Sequence, residues 1–146
     1  MGTGRMDIVI IDHQETLARL IPTDRVTVQF FDDPLAAFRF IETSEPALVF
    51  VSFGLLRDEV FLCIEYLYRI IPDSPIILTG SRLEDDSVLD CLQAGARGYL
   101  ELGDAEKFVG KLIGAVVNGE AWISRRLVAK LLQRLQNRRY ESLGTG

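Results

Sequence analysis

The sequence predicts an α/β protein in which a doubly wound, five-stranded parallel sheet is covered by helices on both faces. Three observations predict this fold class. Strand-like runs alternate five times with helical patterns, as they do in α/β folds. The runs are continuously apolar, which is typical of strands buried on both faces of a parallel sheet. The chain of 146 residues is also long enough for one domain with a single core.

Short runs rich in β-branched and aromatic residues are the predicted strands. They are bounded by residues that favour turns or caps, such as Asp12 after the first run and Pro22 before the second. The predicted strands cover residues 8–11, 26–31, 48–51, 75–79 and 98–100.

Five helices are predicted to follow these strands. The second begins with Asp33 as its N-cap and Pro34 in its first turn, which is typical of a helix start. The third carries Val60 and Ile64 on one apolar face. The fourth ends at Gly95, a residue suited to a left-handed cap. The predicted helices cover residues 14–20, 34–43, 57–70, 84–94 and 104–118.

A sixth helix over residues 124–137 is predicted beyond the five-unit fold. Apolar side chains form a stripe along it, and basic side chains lie mostly opposite. We interpret it as a docking, linker or dimer helix, and a solvated helix face is the alternative. The stripe consists of Leu127, Val128, Leu131, Leu132 and Leu135.

The net charge of −5 is unevenly spread, because six of the 16 basic residues lie between residues 125 and 139, in and just after the sixth helix, with no acid between them. The rest of the chain is therefore strongly acidic. This division predicts a basic helix that meets a partner, nucleic acid or an anionic ligand. The six residues are Arg125, Arg126, Lys130, Arg134, Arg138 and Arg139.

Composition excludes several classes of protein. No apolar run approaches the ~20 residues that a membrane-spanning helix needs, and no secretory signal follows Met1, so we expect a cytoplasmic protein. Cys63 and Cys91 fall on apolar positions of predicted helices, which predicts buried, reduced thiols. His13 is the only histidine in the sequence, so a histidine-based zinc cluster is excluded.

Four segments are predicted along the chain. Residues 1–5 are expected to be disordered or introduced by cloning, and residues 6–120 to form the main domain. Residues 121–138 are expected to be a linker or dimerisation helix, and residues 139–146 a tail.

The carboxyl ends of the predicted strands are the expected place for function, since ligands of open parallel sheets bind at that edge. The residues there are Asp12 and His13, Ser52, Thr79, and the pair Glu101 and Leu102.

Several segments give the chain a family resemblance. Across residues 6–135 it resembles the receiver domains of bacterial response regulators, in particular those of LuxR/FixJ-type (NarL-like) transcription regulators. The resemblance implies a flavodoxin-like (CheY-like) fold with an extra C-terminal sixth helix. Its segments are Ile10-Ile11-Asp12-His13, Leu78-Thr79, Ala94-Gly95-Ala96-Arg97-Gly98-Tyr99-Leu100 and Gly119-Glu120-Ala121-Trp122-Ile123-Ser124.

The resemblance also implies a reaction centre. Receivers place acids after the first strand for Mg²⁺, a phosphoacceptor Asp after the third, a hydroxyl after the fourth and a Lys after the fifth. Here Ser52 stands at the phosphoacceptor position, Ile11 at the first acidic position and Leu102 at the Lys position. The positions retained are Asp12, Thr79 and the aromatic switch position Tyr99.

This pattern implies an atypical pseudo-receiver that lacks the phosphoacceptor Asp. A serine does not form an acyl phosphate, and one carboxylate, Asp12, is a poor basis for Mg²⁺. We therefore predict no catalytic residue, no bound metal and no enzyme. The alternative is a phosphorylatable receiver that uses a different acid, the nearest being Asp58, Asp32 and Asp33.

The segment Trp122-Ile123-Ser124-Arg125 suggests a ligand. It is similar to a segment by which a subgroup of LuxR/FixJ-type regulators binds cyclic di-GMP. Tryptophan and arginine offer flat surfaces for guanine, and a helix start favours phosphate. The alternative is that Trp122 packs in the core while Ser124 caps the helix.

Three functions follow, in order of preference. The first is a phosphorylation-independent regulatory and dimerisation domain of a LuxR/FixJ-type DNA-binding regulator, forming a homodimer. We expect DNA contact only through a helix-turn-helix domain, for which residues 136–146 leave no room. A partner regulator or a kinase is a further expected partner, and its identity is unknown. The second is a cyclic di-GMP-responsive receiver. The third is an enzyme, disfavoured because only Ser52 and His13 offer a nucleophile and a base.

Overall fold

A computed structural model describes the backbone of residues 5–144 and the side chains of residues 5–141. Most of the predicted segment 1–5, and the last two residues of the predicted tail, lie outside this range. Within it, five parallel strands form a single sheet in the order β2-β1-β3-β4-β5, which confirms the predicted fold class. The strands are β1 (Met6–Ile11), β2 (Val26–Phe31), β3 (Leu48–Ser52), β4 (Ile76–Gly80) and β5 (Gly98–Glu101).

Six helices of five or more residues cover the sheet within the described range, as the resemblance implied. They are α1 (Thr16–Leu20), α2 (Pro34–Glu42), α3 (Val60–Ile70), α4 (Asp85–Ala94), α5 (Ala105–Val117) and α6 (Arg125–Gly144). No helix in this part of the chain combines the length and the hydrophobicity needed to span a membrane.

The core has two halves because successive strand residues point to opposite faces of the sheet. Val9, Val49 and Leu78 contribute to one half, together with α2, α3, α4 and the start of α6. Ile10 and Phe50 contribute to the other half, together with α1 and α5. The strands are therefore apolar on both faces, and α6 lies on the side of the sheet that α2, α3 and α4 cover.

The helix ends follow the predicted chemistry. The Asp33 side chain accepts a hydrogen bond of 3.1 Å from the Leu35 amide and so caps α2. Gly95 ends α4 with a φ of 131°, a conformation that favours glycine. A Cβ at that position would also lie 2.8 Å from the Tyr68 side chain, so a larger residue would clash with α3.

Three predicted helix boundaries were wrong. The predicted helix 57–70 is preceded by a helical turn (Phe53–Leu56), because the Ser52 hydroxyl caps it, and a left-handed Arg57 with a φ of 52° separates that turn from α3. The first helix begins at Thr16 rather than at residue 14. The sixth continues to Gly144, so it includes most of the predicted tail.

Candidate functional site

Three buried polar side chains meet at the carboxyl edge of the sheet. Asp12 follows β1, Ser52 ends β3 and Thr79 lies near the end of β4, and they are 4%, 1% and 1% exposed. Ser52 and Thr79 are paired in the β3–β4 register. They are the only buried polar or charged residues in the described part of the chain. The topology thus brings together the residues that the strand ends predicted.

Each of these polar groups is satisfied by the protein's own backbone. The Asp12 carboxylate accepts hydrogen bonds from the amides of His13 at 2.6 Å and Gln14 at 3.3 Å. The Ser52 hydroxyl accepts one from the Leu55 amide at 3.2 Å. The Thr79 hydroxyl lies 3.4 Å from the Val51 carbonyl oxygen, to which it donates. Among the described residues, no buried side-chain polar atom lacks a partner, so the pocket presents no orphaned group to a ligand.

The charged parts of a receiver reaction centre do not assemble here. Ile11 is fully buried in the core, and Leu102 lies partly buried in a short 3-10 helix (Leu102–Asp104). The nearest carboxylate, Asp12, is directed to backbone amides. Residues 5–141 contain no group of three or more His, Cys, Asp or Glu residues placed to hold a metal. A Mg²⁺ ion needs several hard oxygen ligands, so the donor set does not fit it.

The alternative acids lie outside the buried pocket. Asp58 is exposed in a 3-10 turn (Arg57–Glu59) that leads into α3. Asp32 and Asp33 are exposed after β2, and Asp33 is committed to capping α2. None of these three side chains occupies the end of β3, where the resemblance requires the acceptor.

His13 lies beside Ser52 without bonding to it. A Cβ built on Gly54 would lie 3.0 Å from His13 Cε1 and 3.4 Å from Ser52 Oγ, so both side chains approach the same point. The imidazole Nδ1 is 3.0 Å from Asp12 Oδ1. No hydrogen bond joins His13 to Ser52 in the described range. The pair therefore lacks the nucleophile–base contact that catalysis requires.

Glu101 is a site residue whose role was not predicted from the sequence. Its carboxylate accepts hydrogen bonds from the Tyr99 hydroxyl at 2.8 Å and from the amides of Arg82 at 2.9 Å and Gly103 at 3.4 Å. It thereby ties the loop after β4, where Arg82 has a φ of 53°, to the end of β5. The sequence does contain an indication of this role, since Glu101 is an acid directly after a buried strand.

These contacts change the pKa values of both side chains. Burial raises the pKa of Tyr99, and its hydrogen bond to Glu101 raises that pKa further. Burial acts to raise the pKa of Glu101, but donation from the Arg82 amide, the Tyr99 hydroxyl and the Gly103 amide outweighs it and lowers that pKa. The pair therefore holds Tyr99 as a neutral donor and Glu101 as a charged acceptor.

The segment before α6 is attached to β5. The Tyr99 amide donates to the Trp122 carbonyl at 3.0 Å, and the Trp122 amide donates to the Arg97 carbonyl at 3.1 Å. A Cβ on Gly98 would lie 2.4 Å from the Trp122 carbonyl oxygen, so this close approach requires glycine. The Trp122 ring packs at a tilt against Phe108, with centroids 6.1 Å apart.

The predicted nucleotide segment borders a cavity of about 560 Å³. The Ser124 hydroxyl lines it but already accepts a hydrogen bond of 3.2 Å from the Leu127 amide, so it caps α6. Arg125 is exposed and does not itself line the cavity, although its sequence neighbours Ser124 and Arg126 do. The acids that line the cavity work against an anionic ligand, and they are Asp85, Glu101 and Asp104.

The basic side of α6 faces the acidic helix α4. Asp85 at the start of α4 pairs with Arg126 and, at 2.5 Å, with Lys130. Hydrogen bonds from Lys130 and Arg126 lower the pKa of Asp85. The placement of these acids in the first turn of α4 is also favoured by the helix dipole. Two of the α6 cations thus have an acidic partner within the same chain.

Arg134 makes the least exposed contact of this α4–α6 interface. Its side chain is 23% exposed and reaches Asp90 at 2.6 Å, Gln93 at 2.7 Å and Asp86 at 3.1 Å. Leu127 is buried beside these ion pairs, and Leu131 packs against the same core. Two of the five residues of the predicted apolar stripe, Leu127 and Leu131, therefore face the chain's own domain.

The other three residues of the predicted stripe face outward. Val128, Leu132 and Leu135 are 39%, 55% and 46% exposed. We call these three residues the α6 outer stripe. Exposed apolar residues that line up along one helix face mark a surface that contacts a partner more often than scattered ones do.

The two cysteines lie in the core, as predicted. Cys63 on α3 and Cys91 on α4 are buried free thiols. Burial raises the pKa of each thiol to about 12, so both are protonated and unreactive at neutral pH.

We compared the chain with known proteins by sequence and by structure. No protein-family model matches the sequence. Over 103 residues the chain is 29% identical to the uncharacterized transcriptional regulatory protein YhcZ of Bacillus subtilis (strain 168). The match covers 70% of the chain but only 48% of that relative, so the chain spans about half its length.

Solved structures with the same fold are receiver domains. The isolated REC domain of RcsB from Salmonella enterica serovar Typhimurium, in the apo form, matches with a TM-score of 0.73 and 19% identity, covering 88% of this chain and 99% of that one. The fold is that of a response-regulator receiver domain.

Two further solved structures of response regulators have the same fold. A LuxR-family two-component response regulator from Aurantimonas sp. SI85-9A1 matches with a TM-score of 0.72 and 19% identity, covering 89% of this chain and 97% of that one. The receiver domain of the putative response regulator NarL from Mycobacterium tuberculosis matches with a TM-score of 0.67 and 18% identity, covering 80% and 98%. At these identities the likeness establishes the fold and not the activity.

Proposed function

We propose that this chain is a pseudo-receiver, a phosphorylation-independent regulatory domain of a LuxR/FixJ-type transcription regulator. The observation that carries the proposal is Ser52, which stands at the end of β3 with its hydroxyl committed to the Leu55 amide. An acyl phosphate needs a carboxylate at that point, and stabilising its formation needs nearby cations. The buried groups of the pocket are instead one carboxylate and two hydroxyls.

The wider role rests on the relatives. YhcZ is described as a transcriptional regulatory protein, and structures of the same fold are response regulators. We propose a cytoplasmic, non-enzymatic signalling role in which DNA is contacted by a helix-turn-helix domain outside the described residues. The α4–α6 interface supports this proposal, because it engages three of the basic residues that would otherwise be available to nucleic acid.

A phosphodonor experiment tests the proposal. The protein is incubated with acetyl phosphate and Mg²⁺, and its intact mass is measured, with a receiver that retains its acceptor Asp as the positive control. We expect the mass to be unchanged. A gain of one phosphate, mapped to Asp12, Asp32, Asp33 or Asp58, would establish the alternative of a phosphorylatable receiver that uses a different acid.

We also propose that the domain self-associates through the α6 outer stripe. Leu132→Glu should weaken self-association in sedimentation velocity experiments, since it places a charge on a residue that is 55% exposed and thus leaves the fold intact. Val117→Glu, on α5 and 40% exposed, is the matched control and should have no effect. A wild-type chain that stays monomeric at high concentration would refute this part of the proposal.

Binding of cyclic di-GMP is the second candidate. It is supported by the cavity that Trp122 and Ser124 line and by the exposed Arg125 next to Ser124 in the sequence. Titration calorimetry with cyclic di-GMP, on the wild type and on Arg125→Ala, decides the matter. Heat of binding that disappears in Arg125→Ala would favour this candidate, whereas no heat with the wild type would remove it.

A further inference from the structure

A second exposed apolar surface lies between α2 and α3. Leu35 on α2 and Leu62 on α3 are 63% and 69% exposed, more than the members of the α6 outer stripe. They border a cavity of about 690 Å³ that Phe38 and Leu56 help to line. We call this surface the α2–α3 groove, and it has the size and apolar lining of a groove that accepts helix side chains.

The rim of the α2–α3 groove is acidic. Asp33 at the start of α2 and Glu59 just before α3 both line it. At its other end, the Tyr66 hydroxyl donates to Glu42 at 2.6 Å, and this bond raises the pKa of Tyr66. No basic side chain is among the residues that line this cavity in the described structure. A partner helix should therefore carry apolar residues flanked by cations.

The α6 outer stripe has this chemistry. Arg125, three residues before Val128, and Arg139, four residues after Leu135, continue the stripe at the same 3-4 spacing. Both arginines are exposed and make no ion pair with the described part of the chain. The stripe with its two arginines spans 15 residues, and Arg125 and Arg139 lie about 21 Å apart along the helix.

Pairing of α6 with a second α6 is electrostatically unfavourable. In a parallel pair, Arg125 faces its own copy and so does Arg139, whereas in an antiparallel pair Arg125 faces Arg139. Either arrangement sets like charges opposite each other at both ends of the stripe, which destabilises helix pairs. In the α2–α3 groove one arginine would instead lie near Asp33 and Glu59, and the other near Glu42 at the opposite end.

We infer that, in a dimer, the α6 outer stripe of each copy lies in the α2–α3 groove of the other copy. This inference rests on the proposed self-association and identifies the surface that α6 contacts. Both surfaces lie on the side of the sheet covered by α2, α3 and α4, so a two-fold axis facing that side lets both contacts form at once. The assembly closes as a dimer and covers both the α6 outer stripe and the α2–α3 groove of each copy.

Site-directed cross-linking tests the inference on the full chain. Leu35→Cys and Leu132→Cys are prepared separately, mixed, and treated with a short bis-maleimide. We expect a cross-linked dimer in the mixture that contains one copy of each variant, and little product from either variant alone. Both variants also carry Cys63→Ala because Cys63 lines the groove, whereas Cys91 is a buried, protonated thiol that does not compete. A mixture of Val117→Cys with Leu132→Cys is the matched control and should give no product.

The outcomes are distinct. Cross-linking of Leu132→Cys with itself would indicate α6–α6 pairing, which overturns this inference and leaves the proposed self-association standing. A dimer by sedimentation without the mixed product would also overturn it. A monomer by sedimentation would refute both the proposed self-association and this inference. The phosphodonor experiment tests the pseudo-receiver proposal separately, and none of these outcomes changes its result.

A charge substitution gives an independent measurement. Leu62→Glu should raise the dissociation constant of the dimer about tenfold or more, because it places an acid on the floor of an acid-rimmed groove. Leu62→Met keeps the apolar contact and should stay within about twofold of wild type. An unchanged dissociation constant for Leu62→Glu would contradict the inference.

Discussion

The carboxyl edge of the sheet and the α4–α6 interface use polar residues in opposite ways. At the sheet edge, Asp12, Ser52 and Thr79 are buried and bonded to nearby backbone. At the α4–α6 interface, the partly buried Arg134 pairs with the exposed acids Asp86 and Asp90, more than 40 positions away in the sequence. The first region has buried polar groups bonded to the backbone, and the second has ion pairs at the protein surface.

The difference shows where a signal would have to act. A site whose polar groups are all satisfied internally gains little from an ion or a phosphoryl group. An exposed set of ion pairs, by contrast, depends on salt and on any charged partner that competes for one side. We therefore expect regulation of this domain to act on the position of α6 rather than on the sheet edge.

The largest expected effect on stability comes from placing an acid at position 52, at the carboxyl edge of the sheet. Ser52→Asp places a carboxylate in a site that is 1% exposed, without a counter-ion, and should lower the free energy of unfolding by about 3 kcal/mol. Burial raises the pKa of such a carboxyl in the folded state, so the loss should shrink as the pH falls and the group becomes protonated. Urea unfolding at several pH values measures it.

Ser52→Asn is the matched control for that measurement. It has the same size and can still cap the helical turn, but it carries no charge. A loss as large as that of Ser52→Asp would show that shape rather than charge is responsible. A Ser52→Asp protein as stable as wild type would show that the sheet edge tolerates a charge. It would contradict the proposed difference between the sheet edge and the α4–α6 interface.

The second-largest loss of stability is expected where the segment before α6 is attached to β5. Gly98→Ala would set a Cβ 2.4 Å from the Trp122 carbonyl oxygen and should separate the α6 entrance from β5. We expect a loss of about 2 kcal/mol, as for other overpacked sites, with a change in Trp122 fluorescence. Gly103→Ala, where a Cβ meets only the Glu101 carboxylate at 3.8 Å, is the control.

A smaller effect is expected at the α4–α6 interface itself. Arg134→Ala removes contacts with Asp90, Gln93 and Asp86 and should cost about 1 kcal/mol at low salt, since the contact is only partly buried. The difference from wild type should decrease in 1 M salt. Arg139→Ala, exposed and unpaired in the described structure, should change unfolding by less than about 0.5 kcal/mol. A salt-independent loss would contradict an electrostatic interface.

The smallest effect is expected at Tyr99, between the two regions. Tyr99→Phe removes the hydroxyl bound to Glu101 and should cost about 0.5–1 kcal/mol. Because the pKa of Glu101 is lowered by folding, its contribution is complete above its ordinary value of 4.5 and is lost as the pH falls through the lower folded value. Glu101→Gln should therefore flatten stability between pH 5 and pH 3, an effect that thermal melts at stepped pH would detect.

The sequence predicted the fold well where local chemistry decides it. The bounds of β2 agree with the prediction, and α2 begins at its predicted cap, Asp33. It failed after β3, where the Ser52 hydroxyl starts a helical turn that contains Gly54, a residue that disfavours helix. Apolar periodicity at residues 60–71 gave no indication that the helical segment starts earlier.

The candidate site was predictable only in part. Strand ends placed Asp12, Ser52 and Thr79 together because parallel topology aligns them at one edge. The α4–α6 interface was not predicted, since ion pairs between distant residues leave no periodic pattern in the sequence. For the same reason, the α6 apolar positions did not reveal which of them face inward.

The attachment of Trp122 to β5 has a consequence for aggregation. The backbone of Trp122 occupies the outer side of β5, so that border of the sheet is closed to strand addition from another molecule. The opposite border is β2, whose Val26 carbonyl is capped at 3.2 Å by the Arg5 guanidinium. Arg5 therefore acts as a gatekeeper on the one strand whose outer side borders no other strand in the described sheet, and its loss would expose a β-rich edge to intermolecular pairing.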